Sequence, residues 1–201
     1  MTKEEPDHST RRLPPGPHGL PPELIQRNQR ERLIAAMAEV CAERGYGETS
    51  VAEVAKQAGV STASFYRQFR DRHECMLAGF EELFRRLAEE VERGCAAEST
   101  PAARARAGAR TAAELLAADP PTARLLSVEI LAAGPDGVRA QQGAIERLAS
   151  RLREPGASAA EPDRAWATVA AMASLVGRRI VEGKSPTAAE LGALAGLLEA
   201  P

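Results

Sequence analysis

The stretch VAEVAKQAGVSTASFYRQF, Val51 to Phe69, leaves a chain little freedom in how it folds. Val51, Val54, Ala55 and Ala58 fall on one stripe of a short helix, and Phe65 and Phe69 stand one turn apart on a second. Between them sits Gly59, where a tight turn needs a left-handed backbone. Ala55 is small enough to let the two helices cross closely. Val60 is placed to plug the corner, and Phe65 to pack the second helix back onto Val54 and Ala58. Start signals flank both helices: Ser50 with Glu53 fits a capping box, with Thr49 as the alternative N-cap, and Ser61 caps the second helix. The outward face of that second helix is left with Thr62, Ala63, Ser64, Tyr66 and Arg67. These small, hydroxylated or cationic groups suit base edges and phosphates in a major groove. The pattern predicts a helix-turn-helix. Its plainer readings are a corner inside a helical bundle and, for Tyr66, packing on the preceding helix.

The rest of the chain reads as helix with no strand. Aromatic residues make up 3% of it, while Ala, Leu, Arg and Glu dominate, which favours an all-α fold of about nine helices. The segment RLPPGPHGLPPE cannot build a helix past its prolines and has little to bury, so residues 1–22 are expected to be a disordered tail. Ile25, Leu33, Met37, Val40 and Cys41 form the stripe of a first helix ending at Arg44-Gly45. After Asp71 and Glu74, which repeat the capping signature, a long helix runs to Gly94. Its polar face carries Glu81–Arg85, Glu82–Arg86 and Glu89–Arg93 at the spacing of i, i+4 ion pairs. Further helices are expected from Thr100-Pro101 to Asp119, through Leu125 to Leu131, from Val138 to Leu152 and from Trp166 to Ile180. A last one is capped by Ser185-Pro186 and carries Leu191, Leu194, Ala195 and Leu198.

Charge and cysteine content narrow the function without naming it. The net charge is −2, and Met1 to Phe80 holds 11 Lys and Arg against 11 Asp and Glu, so a case for DNA rests on the motif alone. Cys41, Cys75 and Cys95 lack metal-type spacing or an even count; Cys41 and Cys75 read as core residues. No run of 18 apolar residues and no signal-peptide order is seen, which leads to a soluble, cytoplasmic protein. An enzyme is disfavoured because there is no nucleophile elbow, P-loop, dinucleotide fingerprint or metal constellation, and no cofactor is expected.

The motif and its flanks carry a resemblance to the TetR family of bacterial transcription regulators. TSVAEVAKQAGVSTASFYRQFRDRHECML looks like that family's Thr-Ser, apolar-Ala, Ala-Gly-Val-Ser, Tyr, Phe and capped fourth helix. With RERLIAAMAEVCAERGYGETS before it, the likeness covers about Gln29 to Leu77. LPPGPHGL and QRERLIAAM resemble a subgroup common in high-GC actinobacteria. Carried over by position, Thr62, Ala63 and Arg67 are base-reading candidates; Ser61, Ser64, Tyr66, Thr49 and Ser50 are phosphate contacts. Arg72 stands where the family usually has Lys aimed at a phosphate, and His73 replaces the usual acidic residue.

The resemblance implies a disordered tail (1–22), a DNA-binding domain (23–70) and a helical effector-binding and dimerisation domain (71–201). It also implies a ligand-responsive repressor, acting as a homodimer on a palindromic double-stranded operator. The alternatives are a ligand-independent regulator or activator of the same fold, or a helical interaction module that no longer binds DNA. The dimer surface is expected on two long C-terminal helices, where Ala170, Ala171, Ala173, Ser174 and Gly177 let helices approach. Ordinary intramolecular packing of those small residues is the other reading. Leu83, Phe84, Leu87, Leu115, Leu116, Leu126, Glu129, Leu148 and Met172 are candidates to line a pocket for a small apolar effector. Each apolar one is equally readable as plain core. Glu129, an acid among leucines, is either a ligand anchor or part of a solvated face.

Overall fold

A computed structural model describes residues 21–152 and 163–198. Nine α-helices and two short 3-10 turns make up the regular structure of these residues, and no strand is found among them. Helix α1 (Pro22–Arg44) starts on a proline and stops at Gly45, whose φ of +80° carries the chain into the next turn. Helices α2 (Val51–Ala58) and α3 (Thr62–Gln68) follow, and α4 (Arg72–Cys95) leads away from them. Then come α5 (Pro101–Ala118), α6 (Pro120–Ser127), a 3-10 turn (Glu129–Ala133), α7 (Pro135–Ala149) and α8 (Arg164–Val181). Helix α9 (Ala188–Leu194) and a closing 3-10 turn (Ala195–Leu198) end the described chain. The tail expected to be disordered lies almost wholly outside the described residues, and Pro22 already belongs to α1.

Several local expectations are revised. The single helix expected through Leu125 to Leu131 breaks at Val128, which leaves helical geometry at φ −121°, ψ −59°. The last helix is capped by Thr187 in a closed capping box with Glu190, so Ser185-Pro186 precedes the cap. Of the expected ion pairs on α4, only Glu82–Arg86 forms, at 2.8 Å. Arg85 instead bridges Glu82 and Glu89, Arg93 turns to Glu90, and Glu81 reaches Arg147 of α7 at 2.9 Å. Interhelical packing decides these pairings, since spacing along one helix offers each acid more than one base.

One apolar cluster joins the first four helices to the body. Phe65, Phe69, Phe80, Met37, Leu125, Ile130 and Leu191 all belong to it. Burial of each such side chain contributes about 1.5–3 kcal/mol, so the body and α1–α4 share their main source of stability. Helix α6 packs on α1 and α8, α5 packs on α4 and α9, and α7 packs on α8 and the 3-10 turn before it. That last contact depends on Gly137. A Cβ there would lie 1.8 Å from the Ile130 carbonyl oxygen, which is backbone and cannot swing away. Gly137→Ala is therefore expected to cost about 1–3 kcal/mol, as overpacked core sites do, measured as a lower midpoint of thermal unfolding. Among the described residues no helix is long and apolar enough to cross a membrane.

Candidate nucleic-acid interface and apolar cavity

Local rules set the shape of the reading head. Ser50 is the N-cap of α2: its Oγ accepts from Glu53 N at 3.3 Å, and the Glu53 carboxylate accepts from Ser50 N at 3.1 Å. The Ser50 hydroxyl, which donates to the Glu53 carboxylate at 2.7 Å, together with the Ser50 N–H and Arg44 nearby, holds that carboxyl below its ordinary pKa. Gly59 adopts φ +63°, ψ +38°, the left-handed turn between α2 and α3. Ala55 is buried at the crossing and Phe65 is wholly buried behind it. Ser61 caps α3, its Oγ accepting from Ser64 N at 3.1 Å.

Two arginines of α1, which the sequence reading passed over, hold these short helices in place. Arg32 Nη2 donates to the carbonyls of Ala58 and Gly59 at the end of α2. Arg30 donates to Gln68 O at 3.1 Å and lies 4.4 Å over the Phe69 ring. Helix ends leave orphan carbonyls that need donors, and that need was the only sequence signal for them.

What faces outward on α3 is Thr62, Ala63, Tyr66 and Arg67, all exposed, with Tyr66 at 59%. Tyr66 thus projects into solvent, its ring nearly perpendicular to that of Phe65 at 5.6 Å between centroids. Arg67 Nη2 donates to Ser64 Oγ at 2.6 Å, which leaves Ser64 largely buried and already paired. Ser50 and Ser61 are exposed, though each hydroxyl is committed to a cap.

Two residues carried over as phosphate contacts are used otherwise. Thr49 is 1% exposed, and its hydroxyl donates to Gly45 O at 2.9 Å, so it has no face for DNA. Arg72 Nη1 donates to the carbonyls of Tyr46, Gly47 and Thr49 at 3.1, 3.0 and 2.6 Å. Its guanidinium lies 4.8 Å over the Tyr46 ring. Arg72 therefore clamps the α1–α2 turn to the start of α4.

Glu129 grips the same turn from the other side. It is 4% exposed, so neither a solvated face nor a cavity anchor describes it. Its Oε2 accepts from Tyr46 N at 2.7 Å and its Oε1 accepts from Arg124 Nε at 2.8 Å. A third grip comes from His73, whose Nδ1 lies 3.5 Å from the Tyr46 hydroxyl and whose Nε2 lies 3.1 Å from Asp136 of α7. The hydrogen bond to His73, with Arg139 nearby, keeps the Asp136 carboxyl below its usual pKa. The turn from Gly45 to Thr49 is thus fastened to α4, the Glu129 turn and, through His73, α7.

Beyond the head, α4, α5, α6, α7 and α8 enclose a cavity of about 170 Å³ with almost wholly apolar walls. Of the residues expected to line it, Phe84, Leu87, Leu116, Leu126, Leu148 and Met172 do so. Leu83, Leu115 and Glu129 do not. Leu83 is partly buried against the core on another side of α4. Phe80, Ala109, Val176 and Leu191 are among the other apolar residues of the wall. Cys95 also borders it, while Cys41 and Cys75 are buried in the main cluster, where burial pushes both thiols up. No group of three His, Cys, Asp or Glu among the described residues is placed to hold a metal ion.

Residues 33–78 match the family described as bacterial regulatory proteins, tetR family. A fatty acid metabolism regulator protein from Bacillus subtilis is 34% identical over 61 residues, 30% of this chain; the match spans 31% of that relative's length. A solved structure of the fatty acid degradation regulator FadR from Bacillus halodurans superimposes with a TM-score of 0.72 at 19% identity, over 85% of this chain and 94% of that one. The transcriptional regulator FadR from Bacillus subtilis, solved in complex with stearoyl-CoA, gives 0.64 at 22% identity, over 84% and 95%. At these identities the likeness to the solved structures is one of fold.

Proposed function

We infer, for a chain that belongs to the tetR family of bacterial regulatory proteins, the working of a ligand-responsive repressor: a homodimer that reads a palindromic operator with α3 and leaves it when an apolar effector enters the cavity. The observation that supports this most is the exposed face of α3. Thr62, Ala63, Tyr66 and Arg67 project from a helix that is capped by Ser61 at its start, held by Arg30 at Gln68 O at its end and packed on the core through Phe65. A rigid helix with a small, cationic outer face fits a major groove, where phosphate contacts orient the protein and side chains on base edges give specificity. Ser50 and Ser61 sit at helix N-termini that suit phosphates. DNA binding places the protein in the cytoplasm.

The dimer reading rests on the outer surface of α8 and α9. Trp166, Ala170, Ser174 and Val181 line the outer side of α8, with Trp166 at 40% and Val181 at 70% exposure. Ala189, Ala193 and Leu197 line that of α9 and its 3-10 extension. Helix α9 is shorter than the sequence suggested, and its Leu191 and Ala195 face the core. Ala173 borders the cavity and Gly177 faces Ser127, so the small-residue stripe is divided between inside and outside.

Release follows from the cavity's size. About 170 Å³ compares with the roughly 150 Å³ cavity that admits benzene. A ligand larger than this void either extends through its open side or moves its walls. Phe80 and Phe84 lie on α4 and Ala123 and Leu126 on α6, so the displaced walls are the helices that hold Arg72 and Arg124, and through them the α1–α2 turn. The two α3 helices must match one DNA turn, about 34–36 Å apart, and a shift of the turn relative to α4 spoils that match. The retained cavity favours this reading over a ligand-independent regulator.

Arg67→Ala tests the reading of the head. Operator affinity, measured by fluorescence anisotropy on DNA from upstream of the protein's own gene, is expected to fall by about 1–3 kcal/mol with relaxed sequence preference. Unchanged affinity in a folded variant overturns the assignment of Arg67 to base contact.

A further inference from the structure

Between Pro21 and Cys75 the chain holds eight Lys and Arg against eight Asp and Glu. The head therefore has no net charge, and its pull on phosphates depends on where each cation stands. Three arginines are neutralised close by: Arg27 by Glu31 at 3.1 Å, Arg44 by Glu53 at 2.7 Å and Arg70 by Glu74 at 3.1 Å. Three more are engaged with backbone carbonyls, Arg30 at the end of α3, Arg32 at the end of α2 and Arg72 in the α1–α2 turn. Lys56 and Arg67 are left. Both are exposed, and among the described residues neither is held by an acid.

Arg67 belongs to the outer face of α3, whereas Lys56 belongs to α2. At about 100° per residue, Lys56 stands opposite the buried Val54 and Ala58 and next to Gln57, whose side chain donates to Glu39 of α1. The α1 side of α2 is acidic, since Glu39 and Glu43 border one cleft with Gln57. Glu53 is turned to Ser50 and Arg44. Lys56 is thus the one cation of α2, and it sits on the helix's solvent side.

We propose that Lys56 is a phosphate anchor of this head, in the role that the family motif gives to the position of Arg72. This rests on the DNA-binding reading above and adds a residue to it. In a helix-turn-helix the first helix of the motif crosses the phosphate backbone while the second enters the groove, and α2 is that first helix. A lysine is a compact charge on a flexible stem, so it can follow a phosphate whatever the base sequence. Arg72 is poorly placed for the task. It is half-buried, and three carbonyls and the Tyr46 ring fix it against the turn.

Fluorescence anisotropy from about 50 to 200 mM NaCl, on DNA from upstream of the protein's own gene and on a scrambled duplex of equal length, separates phosphate from base contacts. Each phosphate contact adds about 0.9 to the slope of log affinity against log salt. With one Lys56 in each subunit of a dimer, Lys56→Gln should lower that slope by about 2. Its affinity should then fall about tenfold less over the same salt range. Both duplexes should be affected alike, and Lys56→Arg should restore the slope. Arg72→Gln should lower the midpoint of thermal unfolding and leave the slope alone. An unchanged slope in Lys56→Gln overturns the proposal. So does a loss on the operator with none on the scrambled duplex, which marks a base contact. A slope that falls in Arg72→Gln and holds in Lys56→Gln returns the anchor to α4. If the unaltered protein binds neither duplex, the DNA-binding reading itself falls, and this proposal with it.

Discussion

Glu129→Ala is expected to unfold well below the unaltered protein, by about 6–12 °C if some 3 kcal/mol is lost in a chain of this size. Breaking a buried ion pair from one side typically costs about 3–5 kcal/mol because the remaining partner is stranded. Here the lower end applies, since the Arg124 side chain is 35% exposed and can turn to water. The Tyr46 N–H cannot. It donates to Glu129 Oε2 at 2.7 Å within a buried turn, and an orphaned buried donor alone costs about 1–3 kcal/mol. Glu129→Gln keeps an acceptor for Tyr46 and should lose only part of the stability. Function should change as well. If Glu129 carries the movement of α6 to the α1–α2 turn, the Gln variant should bind ligand normally yet release operator less completely. Ligand titrated with and without operator measures that coupling directly, because the two affinities must differ by the same factor as the two operator affinities. A Glu129→Ala protein that melts with the unaltered one shows that the clasp holds nothing.

The residues of the head that could be read from sequence are those governed by near neighbours. The caps at Ser50, Ser61 and Asp71, the left-handed Gly59 and the Phe65–Phe69 spacing each depend on partners within about one turn, and each is found in its expected place. What sequence could not show is what long-range partners do. Glu129 and Tyr46 are 83 residues apart, and Arg72 and Tyr46 are 26 apart. Nothing in the spacing of a lone acid among leucines says that it will meet a backbone amide from the other end of the fold. Position in the motif likewise suggested DNA for Thr49 and Arg72, because the head's surface is legible only once the turn beneath it is built. The cavity wall was half legible for a related reason. Helical periodicity places Leu83 and Phe84 on adjacent faces of α4, and only the packing of α5 and α7 determines which of them meets the void.

Ser174→Glu is expected to give a folded monomer that binds operator about 10²–10⁴-fold more weakly, the range set by losing a tethered second site. In a two-fold interface the same patch meets itself, so one substitution places two carboxylates in the contact. Ser174 is exposed at the middle of the α8 stripe between Ala170 and Val181 and lies outside the cavity wall. Ala173, the position that sequence alone recommends, borders the cavity, and a charge there would disturb ligand and dimer together. Light scattering at micromolar concentration gives the mass. Thermal unfolding and titration with an apolar cavity ligand give the two controls, since Ser174 is exposed and lies outside the cavity wall. The cost to DNA binding is a loss of linkage rather than of contacts, because each α3 keeps its exposed face. Weak, salt-sensitive binding to any duplex should survive, while preference for a palindrome over a single half-site should disappear. A Ser174→Glu protein that remains dimeric with full operator affinity moves the interface off α8. One that becomes monomeric yet still prefers the palindrome shows that DNA itself brings the two heads together.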